Sequence, residues 1–193
     1  MTILSGSPRQ KTAPPRRARL FVRFCRGAEG AAAIEFAFIA APFIALVLAI
    51  LQVGLIYFAQ QALETDVEAS ARQVLTGQAL AKNLTQQKFA DVVCANAPAL
   101  FTCGNNDKNF MIDLQPAPSF AGANVSAPTL TFDPSGNVTN VWQYNLGAPG
   151  QIMVMRVMYM WPVFLGPLGL NFVNVSNGTH LLMSTAVFRN EPS

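Results

Sequence analysis

The sequence is short of charge. Only 12% of its 193 residues are Asp, Glu, Lys or Arg, where a soluble protein carries about a quarter. A water-soluble surface over the whole chain is excluded, and a hydrophobic content of 51% agrees. Histidine is nearly absent: His180 stands alone on a candidate strand, and it reads as structural or solvent-facing. Cysteines number three, Cys25, Cys94 and Cys103. Two thiols nine residues apart and one imidazole do not make four ligands, so neither a metal nor another cofactor is expected. Nucleophile motifs, glycine-rich phosphate loops and metal-ligand clusters are missing as well, which argues against an enzyme and a small-molecule substrate.

A formal net charge of +3 invites a nucleic-acid partner, but the charges are segregated. Arg9, Lys11, Arg16, Arg17, Arg19, Arg23 and Arg26 precede residue 31 against Glu29 alone. From Gln60 onward six basic residues face eight acidic ones. The basic surplus belongs to the tail and not to a folded surface, so nucleic acid is not expected as a partner.

Charge is missing altogether from residues 36–58, FAFIAAPFIALVLAILQVGLIYF. As a helix this run is about 34 Å long, enough to cross a hydrocarbon core of about 30 Å. Gln52 and Gly54 interrupt it near the far end, and Tyr57 and Phe58 stand where interfacial aromatics belong. Pro42 removes one backbone bond and predicts a kink. Basic residues crowd the side before the run, whereas Arg72 is the first after it. The positive-inside rule then leaves the N-terminus in the cytoplasm and exports the rest. A cleaved secretory signal fits less well, because its apolar region spans only about 7–15 residues. Ala59-Gln60-Gln61-Ala62 is also a poor cleavage sequence. The expected organisation is a basic cytoplasmic leader at 1–30, a transmembrane helix at 31–59 and a periplasmic domain at 60–193.

Glu35 does not suit a plain anchor. It stands at the threshold of the span, where an ionised carboxylate is costly unless paired or solvated at the headgroups. The setting Gly30-Ala31-Ala32-Ala33-Ile34-Glu35-Phe36 resembles a prepilin processing site, which implies a cut after Gly30 that would free a mostly cationic α-amine on Ala31. Glu35 lies four residues on, one helical turn away on the same face. Pairing that amine with Glu35 of a neighbouring chain would fix the axial stagger of adjacent helices, since either charge unpaired in lipid is costly.

Cys25 falls in the reducing compartment, whereas Cys94 and Cys103 fall in an oxidising one, where a disulfide between them is expected. An amphipathic stripe at 59–78 continues the membrane helix, with Gly77 as its stop. A short helix is predicted at 85–95. Period-two alternation then predicts strands at 109–115, 151–161 and 179–189, the second of them central. A hairpin is predicted from 129–132 and 138–144 around Asp133-Pro134-Ser135-Gly136-Asn137. Met153, Met155, Met158 and Met160 read as core, and residues 165–176 as loop. The fold class is α+β, a long N-terminal helix packed on a small antiparallel sheet.

Gly30-Ala31-Ala32-Ala33-Ile34-Glu35-Phe36, opening a long apolar helix, resembles the processing site of Flp-type (tight adherence, Tad) prepilins. The 59–78 stretch, the cysteine pair, MRVMYMWP and the ending STAVFRNEP resemble TadE-like proteins, minor pseudopilins of that system. The resemblance implies a pilin-like plan and a single-pass protein of the bacterial inner membrane. It also implies a prepilin peptidase cutting between Gly30 and Ala31, an assembly role for Glu35 and Phe36, and other Tad pilins and pilus assembly proteins as partners. The competing expectation is an uncleaved, signal-anchored periplasmic interaction protein outside any pilus.

Overall fold

The computed structural model describes residues 28–102, 108–164 and 170–192. They fall into two compact units, Met1–Val47 and Leu48–Ser193. The described part of the first unit is helix alone. α1 runs over Ala28–Leu75 and so enters the second unit without a break, carrying Pro42 in its interior.

Within the second unit α1 ends where the sequence predicts. Gly77 adopts φ 70°, a left-handed conformation that costs a residue without a Cβ little, and it stands between the end of α1 at Leu75 and the next helix. The short helix α2 (Gln78–Ala81) follows, then α3 (Gln86–Cys94). Thr85 caps α3, its hydroxyl accepting from the Lys88 amide at 3.4 Å. Three strands complete the unit: β1 (Phe110–Ala117), β2 (Ile152–Pro162) and β3 (Thr179–Arg189). They form one antiparallel sheet in the order β1-β2-β3, with β2 central. The observed fold is therefore α+β, a long helix with a small antiparallel sheet.

The sheet has two covered faces, which explains why β2 is apolar at almost every position. On one face Ile112, Leu114, Met155, Val157 and Leu182 share a core with Leu63, Val67 and Val74 of α1 and Phe89 and Val93 of α3. On the other face Met111, Met158 and Met160 lie beneath Leu130, Phe132, Val138 and Trp142. All four methionines of β2 are buried, as core packing requires.

One element differs from the sequence-based expectation. Residues 129–132 and 138–144 do not form a strand hairpin; only an isolated bridge joins Phe132 to Val138. The turn itself is present, with Asp133 Oδ1 accepting from the Ser135 and Asn137 amides at 2.9 Å. The ladder fails because side chains take its place. Asn140 Oδ1 accepts from the Thr131 amide at 2.7 Å, and Asn140 Nδ2 donates to the Thr129 carbonyl at 2.9 Å. Tyr144 instead makes a parallel bridge to Leu114 at the edge of β1, and Leu130, Phe132, Val138 and Trp142 of this segment cover the sheet face opposite the helices.

The chain's end is structural. The Glu191 amide donates to the Leu75 carbonyl at 2.9 Å, satisfying one of the open acceptors at the end of α1. Asn190 is buried, and its Nδ2 donates to the carbonyls of Leu146 and Ala148 at 3.0 and 3.3 Å. Gly147 beside it (φ 72°) has no room for a Cβ, which would run into Met153. These contacts give the RNEP ending a physical role: it fastens the last turn of α1 to the sheet.

Candidate functional site

In the first unit Gly30 and Ala31 lie in the opening turn of α1, so the bond between them is in helical backbone. Ala31, Glu35 and Phe36 are exposed, and Phe36 is 73% so. Phe38, Ile39, Phe43, Ile44 and Leu46 are exposed too. In the second unit the same bareness continues through Leu48, Ile50, Leu51, Leu55, Tyr57 and Phe58. Among the described residues α1 is the one helix long and apolar enough to cross a membrane. An apolar surface of this extent does not persist in water; lipid or other helices must cover it.

From Ile56, 8% exposed and part of the same core as Ala59, the character of α1 changes. Ala59, Leu63, Val67, Ser70 and Val74 are buried at 2% exposure or less, the three- and four-residue stripe expected from the sequence. Gln60 sits beside this stripe, its Nε2 donating to the Met183 carbonyl of β3 at 3.0 Å and to Glu64 Oε1 at 2.9 Å. Gln52, further back, donates to the Phe164 carbonyl at 3.1 Å.

Two buried polar groups escape sequence reasoning. Asp113 and Arg156, on neighbouring strands in direct register, are 4% and 6% exposed and form an ion pair. Arg156 Nε donates to Asp113 Oδ2 at 3.0 Å, and its second terminal nitrogen makes a shorter bond to the same oxygen. The other terminal nitrogen donates to the Ser126 carbonyl at 3.2 Å, while Asp113 Oδ1 accepts from the Gln143 amide at 3.0 Å. The pair therefore ties the 118–144 cover to the sheet. A signal existed: each is the only formal charge in its strand.

The second group is Asp66. It is 6% exposed on α1, and neither its Oδ2 nor the buried Ser70 Oγ one turn on has a hydrogen-bond partner among the described residues. Desolvation pushes its carboxyl above the usual carboxylate range. A carboxylic acid with a raised folded-state pKa contributes its full stability below the unfolded pKa, and that stability falls as pH rises through the folded one. Asp66→Asn is thus expected to stabilise the domain at pH 7 by about 1 kcal/mol and to flatten its loss of stability between acid and neutral pH. Thermal melts of the detergent-solubilised protein across that range read both effects.

The remaining expected residues are placed as follows. Cys94 is buried, its Sγ 3.6 Å from the Phe101 carbonyl oxygen. Cys103 lies outside the described residues, as does Cys25. His180 Nδ1 lies 2.6 Å from the Phe172 carbonyl oxygen, a structural position. No group of three metal-ligating side chains occurs among the described residues. Comparison with curated proteins and with solved structures finds no match. Comparison with protein families does: residues 30–72, the bare stretch of α1 together with the turns that pack on the sheet, match the family of TadE-like proteins.

Proposed function

We propose that the chain is a minor pseudopilin-like structural component of a Tad/Flp-type pilus system, held in the bacterial inner membrane by α1. Its leader lies in the cytoplasm and its sheet domain in the periplasm. A prepilin peptidase cuts between Gly30 and Ala31. The observation that carries this reading is the coincidence of the TadE-like match, residues 30–72, with a helix whose large apolar side chains are mostly exposed up to Leu55 and which packs into the core from Ile56 on.

The chemistry follows from the opening turn. Helix ends fray at little cost, so the Gly30–Ala31 bond can become extended for cleavage without disturbing the rest of α1. The new amine and Glu35 then lie one turn apart on an exposed surface. A neighbouring pilin or pseudopilin inserted beside α1 can exchange partners with both charges, and the exposed Phe36 adds apolar contact. A Cys94–Cys103 disulfide in the oxidising periplasm closes a short loop and adds roughly 2–3 kcal/mol on the chain-entropy model. The lipid bilayer, the peptidase and other components of the Tad pilus are the partners.

Two substitutions test this reading in cells that carry such a system. Gly30→Leu keeps the first 30 residues on the chain, visible as a slower-migrating band. Glu35→Ala leaves the matured amine without its carboxylate, and crosslinking to other pilin-type subunits is lost while membrane insertion persists. Wild-type migration for the first variant together with wild-type crosslinking for the second would sink the proposal.

A further inference from the structure

β2 ends at Pro162, and the chain continues through Val163 and Phe164 before returning by Leu170 and Phe172 to β3. Phe164 is 79% exposed and Leu170 43%. Between Arg156 and Arg189 the sequence contains no Asp, Glu, Lys or Arg. An excursion with large exposed apolar side chains and no charge is unusual at a water-facing loop, where polar turn residues are the rule.

Its position along α1 gives the reason. Gln60 bonds the Met183 carbonyl at the rim of the sheet. Gln52 bonds the Phe164 carbonyl, and eight residues of helix place it about 12 Å further back along the axis. On the reading that residues 36–58 span the bilayer, Gln52 lies nearly two helical turns inside the end of the span. Phe164 is drawn to the same depth. A glutamine amide in hydrocarbon needs a partner, and a non-helical carbonyl at membrane depth needs a donor. Here each satisfies the other.

Between the return strand and α1 lies a pocket of about 380 Å³ lined by Val53, Ile56, Tyr57, Phe172 and Leu182, with Gln60 and His180 also at its wall. We propose that Phe164 and Leu170 make a second membrane contact: their side chains enter the outer leaflet beside α1, held there by the Gln52–Phe164 bond. The domain is thereby seated against the bilayer at a fixed rotation about α1 instead of swinging on a single tether. The partner is the acyl region of the periplasmic leaflet. This rests on the span reading, and the test separates the two.

The full-length protein is reconstituted in phosphatidylcholine vesicles whose chains carry bromine at graded depths, in a background with Trp142→Phe and Trp161→Phe. Single tryptophans are introduced by Phe164→Trp, Leu170→Trp, Phe43→Trp in the span, and Val141→Trp, a position 95% exposed on the domain. The expected result is blue-shifted emission and loss of most intensity for Phe164→Trp and Leu170→Trp, with Phe164→Trp quenched most by bromine at mid-leaflet depth, the depth of Gln52. Phe43→Trp, about as far from the midplane on the cytoplasmic side, is quenched most by bromine at the same depth, and Val141→Trp by none. If Phe164→Trp and Leu170→Trp both emit like Val141→Trp while Phe43→Trp is quenched, the loop stands in water and the second contact is overturned. If Phe43→Trp is also unquenched, the span reading fails and the second contact with it.

Discussion

Arg156→Ala is expected to destabilise the domain by about 3–5 kcal/mol, because it leaves Asp113 as an uncompensated charge in the interior. Both partners are almost fully buried, and the guanidinium also holds the Ser126 carbonyl while the carboxylate holds the Gln143 amide. The loss therefore extends past the pair to the 118–144 cover, which has little regular structure of its own to keep it in place. Asp113→Leu combined with Arg156→Met removes the stranded charge and is expected to regain part of the stability. It does not regain all of it, since the Ser126 carbonyl and Gln143 amide lose their partners. Thermal unfolding in detergent measures the step. Faster proteolysis within 118–144 than elsewhere in the single variant marks its location.

The second large effect separates two leucines eight residues apart on one helix. Leu63 is fully buried in the core between α1 and the sheet, whereas Leu55 is 54% exposed. Leu63→Ala is expected to cost about 2–5 kcal/mol, the range for a buried leucine that leaves a cavity. Leu55→Ala is expected to fall within about 0.5 kcal/mol of the native domain, as substitutions away from packed positions do. The contrast tests where α1 stops being a bare helix and becomes part of the domain, and the same melts report it. Equal effects from the two would contradict the placement of that change near Ile56.

The regular elements were legible because their hydrophobic periods are strong. The 85–95 helix and the strands at 109–115 and 151–161 reappear with bounds shifted by one or two residues, the 179–189 strand reappears unshifted, and the 59–78 stripe is the packed part of α1, which ends at Leu75. The apolar character of 151–161 identified β2 as central, since only a strand covered on both faces is buried throughout. The 129–144 segment was misread for an identifiable reason. Its turn chemistry is that of a hairpin, but Asn140 offers side-chain bonds that replace the ladder, and sequence spacing does not reveal such competition.

The buried pair was half visible. Arg156 interrupted an otherwise apolar strand and Asp113 another, yet their pairing depends on the β1–β2 register, which no local pattern specifies. Gln52 likewise looked like a blemish in the apolar run until its bond to Phe164 gave it a partner 112 residues away. Glu35 was legible as an exception to the anchor, and the structure leaves it exposed one turn beyond Ala31. The pairing proposed for it is with the amine of a neighbouring chain, which no local pattern in the sequence displays.

The most direct measurement is the intact mass and N-terminal sequence of the protein extracted from membranes of cells carrying the pilus system. The expected N-terminus is Ala31-Ala32-Ala33-Ile34-Glu35, with the Cys94–Cys103 fragment two hydrogens lighter before reduction than after. A chain that still begins at Met1 in those membranes would contradict processing after Gly30, and with it the assembly role of α1.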